Sequence, residues 1–273
     1  MMNTRLYCII CVLISAAVTT PILGQSPNQD KDLTMLAAQE QPLPEVDQFI
    51  GYDAYNHLYW IDQNTLYKTG AQGDFEYQEL LLGPITQVNL QNPLTILVFY
   101  RDMNTVVFLD NRLNEKKRID FNLIPEFPQV RWVYNAGSNR LWLFDQNSQS
   151  LWIYDLQKRQ VDIQSPPLAD LTELKCQFNN CLAQTREELI WLSLYGTITK
   201  RQKISTGNLM AFNGDHILMT HKNKLFDLRS NQHLHFPEIQ PENQINDLQL
   251  TQDFLYLYDS KLVRRYPLNS IKK

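Results

Sequence analysis

From Val46 onward, apolar and aromatic runs of four to six residues alternate with short polar turns. Two such runs make a pair, and a more polar segment separates each pair from the next. The clearest pairs are Leu58–Asp62 with Thr65–Lys68, Ile96–Tyr100 with Thr105–Asp110, Leu141–Asp145 with Leu151–Asp155, and Phe254–Asp259 with Leu262–Tyr266. Two weaker pairs are Cys181–Gln184 with Leu189–Leu194, and His216–Thr220 with Lys224–Leu228. Strand-forming residues on both sides of turns rich in Asp, Asn and Gln predict a β-hairpin at each pair. The hairpins begin near residues 58, 95, 141, 181, 216 and 254. That repeat of about 40 residues is the length of one four-stranded propeller blade.

The strand chemistry favours a propeller. Leu141-Trp142-Leu143-Phe144 is apolar on both faces, as expected of a sheet packed between two other sheets rather than one with a wet side. Helical periodicity is weak, the best candidate being the short stretch 169–175. The last unit reaches Lys273 after its third strand. Closure therefore calls for an N-terminal strand, because an open sheet edge is a pairing hazard; the apolar patch Leu33–Ala38 is the expected donor. The expected fold is all-β: a propeller of six four-stranded blades closed by an N-terminal strand. A β-sandwich pair and a seven-bladed ring are the alternative packings.

Ahead of the repeat, Arg5 precedes an apolar run from Leu6 to Val18 that is broken at Thr19-Thr20-Pro21. Residues 1–24 read as a signal peptide, with Gln25 the first mature residue. As a helix the run covers about 20 Å, short of the roughly 30 Å needed by an uncleaved anchor, so no transmembrane segment is expected in the mature chain. Residues 25–44 form a polar leader and 45–273 a single propeller domain. The expected location is the periplasm, with peripheral association at the outer membrane. Removal of the leader peptide takes Cys8 and Cys11 with it and leaves Cys176 and Cys181 across a four-residue loop containing Asn179-Asn180. An oxidising compartment makes this a hairpin disulfide; a redox or metal pair more often uses CxxC.

Composition removes several functions. There are nine glycines among 273 residues and no GxGxxG, GxxxxGK[ST] or GxSxG motif, which speaks against nucleotide-binding and hydrolase readings. The formal charge is −4 and the one basic cluster is Lys116-Lys117-Arg118, so no nucleic-acid partner is expected. Of the five histidines only His233 and His235 share a strand face, too few for a metal site, and no cofactor is expected. The turn residues Asp62, Asn64, Asp145 and Asn147 fit local hydrogen bonding and positive φ. The tryptophans at 60, 142, 152 and 191 fall within strands and read as core; Trp132 falls on an innermost strand, facing either core or channel. The turns inside the hairpins share one rim. On it Arg101, Asp102, Asp145, Arg186, His221, Lys222 and Asp259 form the candidate partner-binding surface, of mixed charge.

Leu58-Tyr59-Trp60-Ile61-Asp62 resembles the YWTD element of six-bladed propellers, in this copy alone. A wider resemblance runs through Phe49–Asp53, Glu76-Tyr77-Gln78, Leu82-Gly83, Gln91–Leu94, Phe99-Tyr100, Asn104–Val107 and Leu109–Asn114. Over residues 46–160 the chain is similar to an exported propeller family of Bacteroidota, associated with the plug subunit at the periplasmic mouth of the type IX secretion translocon. The resemblance implies no catalytic residue. The export signal, the propeller repeat and the absence of reactive clusters together lead to the expectation of a non-enzymatic protein that docks on an outer-membrane or periplasmic protein. The competing expectation is a propeller enzyme, or a small-ligand or glycan binder, using the central channel.

Overall fold

The computed structural model describes residues 32–204, 207–214, 216–221, 224–239 and 245–268. The N-terminal segment provides β1 (Leu33–Thr34) and β2 (Gln39–Pro42). The first blade is β3 (Gln48–Tyr52), β4 (Leu58–Asp62), β5 (Thr65–Thr69) and β6 (Phe75–Tyr77). The second is β7 (Gln87–Asn89), β8 (Ile96–Tyr100), β9 (Thr105–Leu109) and β10 (Glu115–Asp120). The third is β11 (Val130–Asn135), β12 (Arg140–Asp145), β13 (Ser150–Asp155) and β14 (Gln160–Gln164). The fourth is β15 (Glu173–Cys176), β16 (Asn180–Gln184), β17 (Glu188–Ser193) and β18 (Ile198–Lys203). The fifth is β19 (Asn208–Phe212), β20 (Ile217–His221), β21 (Lys224–Asp227) and β22 (Gln232–His235). The sixth is β23 (Asp247–Leu250), β24 (Phe254–Tyr258) and β25 (Leu262–Pro267), completed by β2. The first four sheets are antiparallel meanders running outward in sequence order, and the fifth and sixth follow the same plan with an N-terminal strand added at the outer edge; β23 lies beside β3, closing a six-bladed ring.

The core follows this radial plan. Six apolar clusters occupy the six seams between neighbouring blades. Every residue of β8 and β9 is buried, because both faces of the second blade meet a neighbour. Each seam also carries a side-chain hydrogen bond to the next blade's backbone. Asn64 donates to Gly83 (2.9 Å), Gln87 to Val133 (2.6 Å), Trp142 to Gln177 (2.9 Å), Gln184 to Gly207 (2.7 Å), Asn213 to Thr251 and Gln249 to Tyr52 (2.7 Å). A buried backbone carbonyl between packed sheets needs such a partner. The same polar side chains thereby fix how far each blade turns against the next.

Two expectations are corrected. Ring closure comes from β2, which pairs antiparallel with β25 from Gln39↔Arg265 to Pro42↔Leu262, and not from Leu33–Ala38. Leu33 and Thr34 instead run parallel to β22 as a fifth strand on the fifth blade. The reason is exposure. An outermost strand faces water, which suits Gln39-Glu40-Gln41, whereas the fully buried Met35 belongs in the seam between the fifth and sixth blades, beside Phe236, Tyr266 and Leu268. Residues 169–175 form no helix; a turn at Asp170, where φ is positive, leads into β15. Cys176 and Cys181 are directly paired across β15 and β16 and form a disulfide.

Candidate docking face

Strand direction alternates outward through each blade, so the second-to-third-strand turns and the blade-to-blade loops share one rim of the ring. On that rim Asn104 organises the second blade. Buried and with a positive φ, it donates its side-chain amide to Asn122 Oδ1 (3.1 Å) and Pro128 O (2.7 Å) and accepts from Val130 N (3.1 Å). The turn 101–104 is thereby joined to the loop 121–129. Phe121 and Ile124 anchor that loop in the seam between the second and third blades. Leu123, Phe127 and, in the joined turn, Met103 are left exposed at 81%, 70% and 47%.

The neighbouring loop 78–86 is built the same way. Asn64 Oδ1 accepts from Ile85 N (2.8 Å), while Leu82 and Ile85 pack into the seam between the first and second blades. Glu79 accepts from Leu81 N (3.0 Å) and pairs with Arg118 (2.8 Å), which holds the Glu79 carboxyl below the usual carboxylate range. Leu80 and Leu81 stay exposed at 74% and 83%. Five large apolar side chains thus stand exposed on loops pinned by the Asn64 and Asn104 amides and by residues packed into the seams. Exposed apolar side chains gathered on neighbouring loops are the kind of feature that marks an interaction site. Two arginines lie near each other on this rim, Arg101 in the turn after β8 and Arg131 on β11. Arg131 stacks on the Trp132 ring (4.0 Å) and donates to Leu171 O (2.9 Å); burial first and the Arg101 charge second lower its pKa.

The predicted rim residues divide. Asp102 and Arg186 are exposed and Arg101 is half-buried. Asp145, 2% exposed, is a structural turn acceptor for Gln129 N (2.8 Å), Asn147 N (3.3 Å) and Ser148 N (2.8 Å). Asp259 is likewise buried, accepting from Lys261 N and Leu262 N and pairing with Arg264 (2.5 Å). Both carboxylates are buried and spent on their own turns, where the sequence alone leads one to expect exposure on the rim. Lys222 lies outside the described residues, and for His221 the structure describes the backbone alone, at the end of β20. Trp132 is core, its ring tilted against Phe144. The exposed apolar loop residues carry no pattern: Leu80, Leu81, Leu123 and Phe127 share their linkers with Leu82, Ile85, Phe121 and Ile124, which are anchored in the seams, and nothing in the sequence tells the two sets apart.

The richest titratable cluster lies on the opposite rim and is closed. Asp53 accepts from Tyr55 N and His57 N (both 2.9 Å) and from Tyr59 Oη (3.0 Å), and its Oδ2 lies 3.0 Å from His57 Nδ1. Lys68, 1% exposed, donates to Asn111 O (2.6 Å), and burial lowers its pKa. Burial pushes the Tyr59 hydroxyl far above its ordinary value. These groups satisfy one another inside the protein and present no reacting atom to solvent. Among the described residues no three His, Cys, Asp or Glu side chains are grouped to hold a metal, and no helix is long and apolar enough to cross a membrane.

No protein-family model matches this sequence, and no curated protein is significantly similar to it. Solved structures are similar in fold. Virginiamycin B lyase from Staphylococcus aureus aligns with a TM-score of 0.56 at 10% identity, over 84% of this chain and 99% of that one. BBS1N, solved in complex with ARL6DN, gives 0.57 at 11% over 87% and 97%. The Pan2 WD40 domain of Neurospora crassa gives 0.53 at 11% over 82% and 89%. A lyase, a protein solved with a bound partner and a WD40 domain stand together in this set, and at such identity the likeness is one of fold: the chain is a six-bladed β-propeller.

Proposed function

We propose that this protein is a non-enzymatic docking module of the periplasm, binding a protein partner at the outer membrane through the rim of its first three blades. The observation that carries this reading is the set Leu80, Leu81, Met103, Leu123 and Phe127, exposed on one rim and held there by anchored loops. Burying a large apolar side chain contributes roughly 1.5–3 kcal/mol, so a few of these suffice as the energetic centre of an interface. The sequence resemblance names the partner class, a secretion translocon whose periplasmic mouth the disc would cover. Site-specific photocrosslinking tests it. A crosslinker at Phe127 should give one discrete adduct in intact cells, identified by mass spectrometry as an outer-membrane protein, whereas a crosslinker at Tyr195, exposed on the opposite rim, should give none. Adducts from Tyr195 alone, or from neither position, would overturn the proposal.

A further inference from the structure

A groove of about 560 Å³ opens on the other rim, between the second and third blades, and owes nothing to the docking reading. Its floor and walls include Lys116 and Lys117 at the start of β10 and Arg140 at the start of β12. Three cations in one groove repel each other; Asp110 acts on Lys116 and Asp162 on Arg140 through space, but neither carboxylate forms an ion pair with them. The surrounding acids are committed elsewhere: Glu79 and Glu115 to Arg118, Asp155 and Asp162 to Lys158, and Asp110 to Arg112 N and Asn114 N within its own turn. Among the described residues no carboxylate lies within ion-pair distance of Lys116, Lys117 or Arg140. Lys117 Nζ rests over the Phe108 ring at 4.6 Å, and Arg140 Nε is buried without a hydrogen-bond partner. An orphaned buried guanidinium nitrogen is costly unless something else supplies the acceptor.

The rest of the lining is hydroxyl- and amide-rich. The turn after β11 brings Gly137, Ser138 and Asn139 to the groove with φ values of +67°, +46° and +59°. Phe178, 38% exposed, supplies an aromatic face on the side of the fourth blade. Cations recognise an anionic group by charge-assisted hydrogen bonds, hydroxyl and amide groups match sugar hydroxyls, and an open ring suits the apolar face of a pyranose. The volume falls within the range of small-molecule sites.

We infer that this groove binds an acidic saccharide, a mono- or disaccharide carrying a carboxylate or phosphate, with Lys117 and Arg140 on the anion and Phe178 against the ring. The test is calorimetric titration of the folded full-length mature protein with glucuronic acid, glucose 6-phosphate, glucose and inorganic phosphate at low ionic strength. Either acidic sugar should bind with a Kd below about 1 mM, and Lys117→Gln with Arg140→Gln should weaken it by about tenfold or more. Phe178→Ala should weaken the acidic sugars by about threefold or more and leave phosphate unchanged. Unaltered melting curves confirm that these surface variants fold, and Leu81→Asp with Phe127→Asp should leave sugar binding intact, which separates this site from the docking face. Binding of phosphate as tight as that of glucose 6-phosphate, glucose binding equal to glucuronic acid, or no binding of either acidic sugar would overturn the inference.

Discussion

Single residues set the ring geometry, and Gly51 shows how. Its φ is +129°, and a Cβ added there would lie 2.3 Å from the Gln249 amide. That amide accepts from Tyr52 N (2.7 Å) and donates to Tyr52 O (2.7 Å), which joins the sixth blade to the first. Gly51→Ala should therefore cost roughly 2–4 kcal/mol, from backbone strain and two weakened hydrogen bonds. Gln249→Ala removes the obstacle, so chemical denaturation of the double variant should show a loss smaller than the sum of the single ones. Asp259 acts by charge. Burial raises its pKa, but the Arg264 guanidinium and two backbone N–H groups outweigh this and hold it below its ordinary value. A carboxylate with a depressed folded pKa stabilises above its unfolded pKa of about 3.9 and loses that contribution as pH falls through the folded value. Asp259→Asn should lower Tm at pH 7, with a deficit that narrows below about pH 4.

At the scale of elements, the middle hairpins of the blades were legible because strands such as β8, β9, β12 and β13 are apolar on both faces and their turns carry Asp, Asn and Gln, whereas innermost strands such as β7 and β23 are half polar and left no such run. Gln63 and Asn64 adopt φ of +48° and +59°, the two-residue hairpin turn their chemistry favours. The closing strand was misread because apolar character marks seams, not outer strands: Met35 fills a seam while Gln39-Glu40-Gln41 pairs. The docking loops were illegible because exposure of Leu81 or Phe127 depends on anchors such as Asn104, whose partners are distant in sequence. Closure is testable by truncation. A chain beginning at residue 37 retains β2 but lacks Met35, whose loss should cost roughly 2–5 kcal/mol while the protein stays monomeric. A chain beginning at residue 45 exposes β25 and should oligomerise on size-exclusion chromatography; a monomer with unchanged melting would show that β2 contributes nothing. The disulfide is a smaller staple. Replacing Cys176 and Cys181 by Ala should cost about 2 kcal/mol by loop entropy and lower Tm by roughly 4–8 °C.

For the whole molecule, the proposed docking reading makes the rim residues unequal. Arg101 sits beside the exposed Met103 on the second blade, between loops carrying Leu80, Leu81, Leu123 and Phe127. Arg186 stands on the fourth blade in the turn 185–187, with no exposed large apolar side chain on its turn. Charges at the edge of an interface act mainly on the association rate, and apolar anchors on the dissociation rate. Arg101→Glu should therefore slow association with solubilised outer-membrane partner about three- to tenfold at low salt, with the effect fading as ionic strength rises. Phe127→Asp should instead speed dissociation, and Arg186→Glu should change neither rate. Asp145→Asn belongs to a different class: it weakens the acceptor for Gln129, Asn147 and Ser148, so it should lower Tm and leave the rates of the folded protein alone. Surface interferometry on the four variants separates these outcomes. Equal slowing by Arg101→Glu and Arg186→Glu would widen the footprint to the fourth blade, and a rate change with Asp145→Asn alone would place the interface away from the first three blades.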